Sequence, residues 1–156
     1  MENKNISTKP NLWKRFFAGI IDYTIMFSMF YLMCLYFGES SPTGGYKLSP
    51  FPGLMVVFLW FMYIVFCEVN YGGTFGNLFF DLKVISIKGN NANLSYSQSL
   101  KRHLFDTLEI WPGFGFITIL LIKNTKHNQR IGDLWAKTIV IDTKDNEQFY
   151  KRFAES

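Results

Sequence analysis

Residues 16–37 read FFAGIIDYTIMFSMFYLMCLYF, and this stretch decides the class to which the protein belongs. Its 22 residues carry one charge, Asp22. A helix rises about 1.5 Å per residue, so a helix of this length can cross a hydrocarbon layer of roughly 30 Å. A helix over this stretch has no polar face that could point toward water. Its apolar region is too long for a cleaved signal peptide, and it contains an acid, Asp22. We predict a transmembrane helix over residues 16–37.

A second apolar block lies at residues 51–67, FPGLMVVFLWFMYIVFC, and it carries no charge. With Glu68 and Val69 at its end, it predicts a second transmembrane helix over residues 51–69. A third block, residues 110–122, would rise only about 20 Å as a helix and cannot cross alone. The step Trp111-Pro112-Gly113 also interrupts or kinks a helix there.

Composition sets the remaining bounds on the class of protein. The 156 residues are 49% hydrophobic and 19% aromatic, which excludes intrinsic disorder, and two cysteines exclude a disulfide scaffold. We predict a single domain over residues 1–156. The net charge of +4 is typical of proteins that bind nucleic acid or an anionic membrane surface. Because the basic residues are scattered along the ends of the apolar blocks, they favour anionic lipid headgroups over nucleic acid.

The distribution of lysine and arginine predicts the orientation in the membrane, because basic loops stay in the cytoplasm. Four basic residues precede the first block, whereas residues 38–50 hold only Lys47, so the N-terminus is predicted to be cytoplasmic. Seven basic residues follow the third block and also favour the cytoplasm. Both ends of the chain can be cytoplasmic if the third membrane segment, residues 95–122, dips into the membrane as a re-entrant pair of helices or lies along the interface. We prefer the re-entrant form. The alternative is an ordinary third span with an external basic tail.

Two β-branched runs predict a small sheet. Residues 82–87 read LKVISI and residues 138–143 read TIVIDT. A lone strand leaves its backbone groups unpaired, so we expect the two to pair with each other on one side of the membrane. The predicted fold is an all-α membrane protein with two transmembrane helices, a kinked or re-entrant third segment and a cytoplasmic two-stranded β element.

The regions around the two strands also resemble each other. Residues 76–85 align with residues 132–141 without a gap, and Gly, Leu, an aromatic residue, Val and Ile coincide. The alignment indicates either an internal repeat or a chance likeness.

Charged residues at the ends of the blocks form a candidate polar cluster. Arg15 and Asp22 lie two helical turns apart and share a face, which places Asp22 about 10 Å inward from Arg15. An acid at that depth must face protein or water and either pair with a cation or take up a proton. Glu68, Arg130 and Asp133 belong at the same cytoplasmic level. The predicted cluster is therefore Arg15, Asp22, Glu68, Arg130 and Asp133.

Three motifs resemble the RDD family of small bacterial membrane proteins. They are Arg15-Phe16-Phe17-Ala18 with Ile21-Asp22, Gly73-Thr74-Phe75-Gly76, and the stretch from Arg130 to Thr138, which reads RIGDLWAKT. The resemblance covers residues 13–142 and makes Asp133 the second aspartate of the family signature. Asn77 and Lys137 depart from the family pattern, so a role that needs a cation at position 77 is in doubt. The resemblance implies a multi-pass protein of the bacterial inner membrane.

The resemblance also implies membrane transport, with cation/proton antiport in some members and association with larger membrane machinery in others. Our first hypothesis is a transporter or transporter subunit in which Asp22 exchanges a proton for a cation, while Arg15 or Arg130 competes for its carboxylate. Two or three spans cannot enclose a route alone, so this requires a homo-oligomer or a larger membrane partner. The alternative is an assembly or scaffold factor whose polar cluster fixes helix packing and topology.

An enzyme is not expected from this sequence. His103 and His127 are separated from Cys34 and Cys67, so neither a metal-ligand set nor a nucleophile pair is recognisable. Both histidines are predicted to lie in loops or at the interface. No cofactor is expected.

Overall fold

The chain folds into helices and two small sheets, and the computed structural model describes residues 8–42, 44–88, 93–106 and 112–147. The elements, in chain order, are α1 (Leu12–Phe37), β1 (Gly38–Ser40), β2 (Tyr46–Leu48), α2 (Pro50–Tyr71), α3 (Phe75–Phe79), β3 (Leu82–Ser86), α4 (Tyr96–Leu104), α5 (Pro112–Asn124), α6 (Ile131–Ala136) and β4 (Thr138–Asp142). The mostly helical fold class is confirmed.

Helices α1 and α2 are the two long apolar elements, with 26 and 22 residues. Each is long and apolar enough to cross a membrane by length and composition, and only 11% and 17% of their most apolar windows are buried inside the protein. The helix predicted over residues 16–37 begins one turn earlier, so Lys14 and Arg15 lie on it. Helix α2 begins with Pro50, a residue that fits the first turn because its missing amide hydrogen is not needed there.

The middle of α2 is a π-helical turn over Phe61–Phe66. The turn widens the helix locally and changes the direction in which the following side chains point. This feature is invisible in the sequence, because a wholly apolar run shows no periodicity that could shift.

A short hairpin, which was not predicted from the sequence, joins the C-terminal end of α1 to the N-terminal end of α2. Strands β1 and β2 pair antiparallel, with Glu39 opposite Lys47. The turn contains two glycines with positive φ, Gly44 and Gly45. Gly38 allows close approach, since a Cβ there would lie 2.2 Å from the carbonyl oxygen of Cys34. The fold therefore has two two-stranded sheets where we predicted one.

The predicted pair of strands after the second and third blocks is confirmed as β3 and β4, each one residue shorter than predicted. They pair antiparallel with Val84 opposite Val140. Leu82, Val84 and Val140 pack with Leu94 on one face of the sheet. Three isoleucines at positions 85, 139 and 141 pack on the other. Both faces of this sheet are buried, so its β-branched composition follows from packing on two sides.

Within the third predicted membrane segment, residues 95–122, the residues that the structure describes include the helices α4 and α5. Helix α4 starts at a capping box formed by Ser95 and Gln98, and α5 starts at Pro112. Trp111, part of the turn that we predicted, lies outside the described residues. Helix α5 has 13 residues, and α4 packs against α6 through Gly132, where a Cβ would lie 2.4 Å from the carbonyl oxygen of Arg102.

Candidate functional site

The end of α2, helix α4 and helix α6 bring three buried charges together. Arg102 contacts Glu68, with Nη2 3.2 Å from Oε1, and it also donates to the carboxylate of Asp133. The side chains of all three residues are at most 2% exposed. A buried carboxylate is stable only when it is paired and hydrogen-bonded, so each of these acids depends on Arg102.

His103 extends this group of charges along α4. Its Nε2 lies 3.2 Å from Oε2 of Glu68, and its Nδ1 lies 2.5 Å from Oδ2 of Asp106. The hydroxyl of Ser99 donates to the same Glu68 oxygen at 2.6 Å. Burial lowers the pKa of His103, but the carboxylates of Glu68 and Asp106 outweigh this effect and raise the pKa to about 9. His103 is therefore protonated at neutral pH.

Two further arginines complete the set. Arg15 of α1 places Nη1 3.6 Å from Oδ2 of Asp133 and donates from Nη2 to the carbonyl of Val140 at 3.4 Å. Arg130, just before α6, places Nη1 2.9 Å from Oδ1 of Asp106. Burial raises the pKa of Asp106, but Arg130 and His103 outweigh this effect and hold it at about 2. We call the whole group the charged cluster: Arg15, Glu68, Arg102, His103, Asp106, Arg130 and Asp133.

Asp22 lies apart from the charged cluster, in a site of its own. Its carboxylate accepts hydrogen bonds from the hydroxyl of Tyr63 at 2.7 Å, the hydroxyl of Thr74 at 2.6 Å and the amide of Gly76 at 2.8 Å. All three donors are uncharged. Gly76 is required here, because a Cβ would lie 2.2 Å from the carbonyl oxygen of Ala18 on α1. We call these four residues the Asp22 site: Asp22, Tyr63, Thr74 and Gly76.

The structure thus divides the predicted polar cluster in two. Arg15, Glu68, Arg130 and Asp133 come together, whereas Asp22 does not join them. The pairing of Asp22 with Arg15 or Arg130 is not found among the described contacts, because both guanidiniums turn toward other carboxylates. A shared helix face fixes the direction of Arg15 and Asp22 but not the tertiary neighbour that each one meets.

The residues of the predicted motifs also have defined places. Thr74 and Gly76 contact Asp22, and a Cβ at Gly73 would lie 3.3 Å from the carbonyl oxygen of Leu82. Thr138 begins β4, is fully buried, and accepts a hydrogen bond at its carbonyl from Gln129 at 2.7 Å.

The predicted polar cluster did not include four members of the two sites, nor Ser99, which donates to Glu68. The four members are Tyr63, Arg102, His103 and Asp106. The signal was present, since positions 99, 102, 103 and 106 follow the spacing of one helix face. His103, predicted in a loop or at the interface, is instead buried on α4.

The two sites differ in what they can do chemically. In the charged cluster every carboxylate contacts at least one guanidinium, so its charges hold the helices together. In the Asp22 site the negative charge is held by neutral donors. The described residues contain no group of three or more His, Cys, Asp or Glu side chains that could hold a metal ion. The two cysteines are free thiols.

Comparison with known proteins supports the resemblance carried by the three motifs. Residues 9–137 match the family model described as the RDD family. No curated protein and no solved structure matches the chain.

Proposed function

Since the chain belongs to the RDD family, a family associated with membranes, we propose that it is a multi-pass inner-membrane protein that exchanges a proton for a monovalent cation at Asp22. It acts as a subunit of a homo-oligomer or of a larger membrane assembly. The charged cluster holds the cytoplasmic part together and leaves the exchange to Asp22.

The observation that carries this proposal is the kind of donor around Asp22. Three neutral donors hold the carboxylate, whereas each of the buried acids Glu68, Asp133 and Asp142 contacts an arginine or a lysine. Asp22 lies seven residues beyond Arg15 on α1, about 10 Å further into the apolar part of the helix. A carboxylate at that depth is neutralised either by a proton or by a cation. Alternation between these two states is the elementary step of proton–cation exchange.

The topology that we propose follows from the pairing of β3 with β4, which requires both strands to lie on one side of the membrane. Between them, α5 rises only about 20 Å, less than the roughly 30 Å of a hydrocarbon core. A chain that enters the membrane there returns to the same side. With α1 starting in the cytoplasm, all basic residues except Lys47 are cytoplasmic and face anionic lipid headgroups.

Two long helices cannot enclose a route for ions, and their outer surfaces are apolar. Large side chains on α2 are well exposed, among them Phe51 at 72% and Leu54 at 67%. Such a surface fits lipid or another membrane helix. The transport proposal therefore includes further subunits around α1 and α2.

The test of the proposal is Asp22→Asn in everted membrane vesicles that carry a proton gradient. We expect the wild type to release protons when Na⁺ or K⁺ is added, and Asp22→Asn to abolish that release. The matched control is Asp145→Asn, which alters a surface carboxylate 2.9 Å from Lys9 and is expected to leave the release unchanged. Release by Asp22→Asn at the wild-type rate, with equal protein in the vesicles, would show that the proposal is wrong.

An assembly factor is the second candidate, and one observation favours it. The carboxylates of the charged cluster are paired within the chain, and buried pairs of this kind commonly fix the orientation of helices without doing chemistry. Photo-crosslinkers at the exposed positions Leu54 and Phe58 test this second candidate. An assembly factor gives one larger membrane partner in fixed stoichiometry, whereas adducts between copies of this chain alone contradict it.

A further inference from the structure

The sheet formed by β3 and β4 has twofold symmetry that matches an alignment within the sequence. Residues 76–85 align with residues 132–141, a separation of 56. Val84 and Val140 are counterparts in this alignment, and they lie opposite each other in the sheet. In an antiparallel pair, that register makes each strand the image of the other about a twofold axis through this central pair.

Backbone conformation repeats at the same separation. Asp81 and Lys137 both have left-handed φ, 59° and 56°, and Gly72 and Asn128 have φ of 81° and 52°. Left-handed φ is uncommon for residues other than glycine, so its recurrence at two pairs of positions 56 apart is specific. The carbonyls of Asp81 and Lys137 also accept equivalent hydrogen bonds, from the amide that follows the opposite strand, at 2.8 and 3.0 Å.

The helices that contact this sheet repeat as well, with a separation of 84. Helices α1 and α4 start at Leu12 and Tyr96, which are 84 residues apart. The glycine of α3 approaches the carbonyl of Ala18, and the glycine of α6 approaches the carbonyl of Arg102, again 84 residues apart. The carbonyl at the equivalent position of α1 and of α4 therefore meets the equivalent glycine of α3 and of α6.

Side-chain contacts between helix and strand also repeat, with the helix residue displaced by 84 positions and the strand residue by 56. Lys14 of α1 contacts Asp142 of β4, and the corresponding contact joins Gln98 of α4 to Ser86 of β3 at 2.8 Å. Each member of the first pair maps onto a member of the second by the separations of 84 and 56. Conserved contact geometry between non-identical residues is the mark of a duplicated unit.

We infer that the fold is an internal duplication, in which Asp106 with Arg130 is a second carboxylate site equivalent to Asp22 with Thr74. Asp106 follows Asp22 by 84 residues and Arg130 follows Thr74 by 56. Thr74 donates to Asp22 at 2.6 Å, and Arg130 contacts Asp106 at 2.9 Å.

The partners of the two carboxylates have diverged chemically. The first carboxylate meets a neutral hydroxyl, and the second meets a permanent cation of the chain itself. The connection that follows the carboxylate differs too: 51 residues separate Asp22 from Thr74, and 23 separate Asp106 from Arg130. The duplication stands independently of transport, whereas the restriction of cation exchange to the first copy rests on the proposed function.

The test places the residue of the first copy into the second. Arg130→Thr supplies a hydroxyl where the duplication predicts that it reaches Asp106, and Arg130→Val, of nearly the same shape, supplies none. A hydrogen bond to a charged group changes the unfolding equilibrium constant by about tenfold to a hundredfold. We expect Arg130→Thr to be more stable than Arg130→Val by a factor in that range, measured by denaturant unfolding of the full chain in detergent micelles. Because residue 130 is the N-cap of α6, where Thr is favoured over Val in any case, the same pair is compared in an Asp106→Ala background, and the difference should shrink there.

The corresponding change in the first copy, Thr74→Val, measures how much the hydroxyl bond to Asp22 contributes to stability. Equal stability of the two Arg130 variants, together with a clear loss in Thr74→Val, would overturn the equivalence of the sites. These measurements need no transport, so failure of the proposed function would leave them interpretable.

A second measurement covers the case in which neither Arg130 variant folds. Gln98→Lys combined with Ser86→Asp copies the Lys14–Asp142 pair into the other half. Equivalent geometry predicts that the double variant is more stable than the sum of the two single changes allows. Simple additivity of the single changes would contradict the duplication.

Discussion

Replacing Arg102 by methionine gives the sharpest test of how the fold is held together. The guanidinium of Arg102 contacts two carboxylates, Glu68 and Asp133, and neither acid has any exposed side-chain surface. Methionine keeps much of the side-chain length and packs in an apolar manner, but it removes the charge. Both acids then lose their shared partner while they remain buried.

The magnitude follows from what is left beside each acid. Removing one partner of a buried ion pair costs about 3–5 kcal/mol. Asp133 retains Arg15 at 3.6 Å, and Glu68 retains His103 at 3.2 Å. We therefore expect the lower end of the range, a loss of about 3 kcal/mol in the free energy of unfolding.

The matched control is Lys101→Met, the preceding residue on the same helix. Lys101 is exposed and lies 5.6 Å from the ring centroid of Trp135, an arrangement that contributes about 0.5–1 kcal/mol. Both variants are unfolded by denaturant in detergent micelles and followed by tryptophan fluorescence. Adding Glu68→Gln to Arg102→Met should recover part of the loss, because it removes one of the two buried charges that have lost Arg102 as a partner.

A loss in Arg102→Met no greater than in Lys101→Met would refute this reasoning. It would mean that the buried acids, without Arg102, are solvated by water or take up a proton at little cost in the free energy of unfolding. Failure of Glu68→Gln to recover any stability would show that the loss comes from packing rather than from charge.

Two further predictions concern backbone contact and pH. Gly76→Ala is expected to displace α3 from α1 and to lower the unfolding midpoint, because the added Cβ would lie 2.2 Å from a backbone carbonyl oxygen. The control is Gly53→Ala on α2, where an added Cβ would meet no atom within 4 Å outside its own stretch of helix. Equal midpoints for the two variants would contradict the contact at Gly76. For pH, the folded-state pKa of His103 is raised from 6.5 to about 9, so its contribution to stability is fully present below pH 6.5 and is lost as the pH rises through 9. His103→Gln should remove that part of the pH dependence, and an unchanged profile between pH 6 and 10 would contradict the assignment.

The sequence predicted the elements whose signals are local. A continuous apolar run specifies α1 and α2, and β-branched runs specify β3 and β4, because each pattern follows from burial of the residues that carry it. The hairpin of β1 and β2 was missed, since its three-residue strands are too short for an alternating pattern. The π-helical turn was missed because it lies in a wholly apolar run, where a change of winding leaves no trace in the pattern of polar and apolar residues.

The candidate sites were predicted in their membership more than in their contacts. Spacing placed Arg15 and Asp22 on one face of α1, yet Arg15 turns to Asp133 and Asp22 turns to Tyr63 and Thr74. Those choices depend on where α2, α3 and α6 pack, and helical periodicity carries no information about distant elements.

The π-helical turn of α2 has a consequence for how the chain tolerates changes in length. Successive residues of an α-helix are about 100° apart around its axis, and those of a π-helical turn are closer together in angle, so removing one residue from Phe61–Phe66 would restore ordinary helical winding and leave Glu68 facing nearly the same direction. The same deletion in the hairpin between Ser40 and Tyr46 would shorten a loop tip and leave both carboxylate sites in place. Changes in length are thus acceptable in the hairpin between α1 and α2, and within α2 the π-helical turn is the place where the loss of one residue can be compensated by a change of winding.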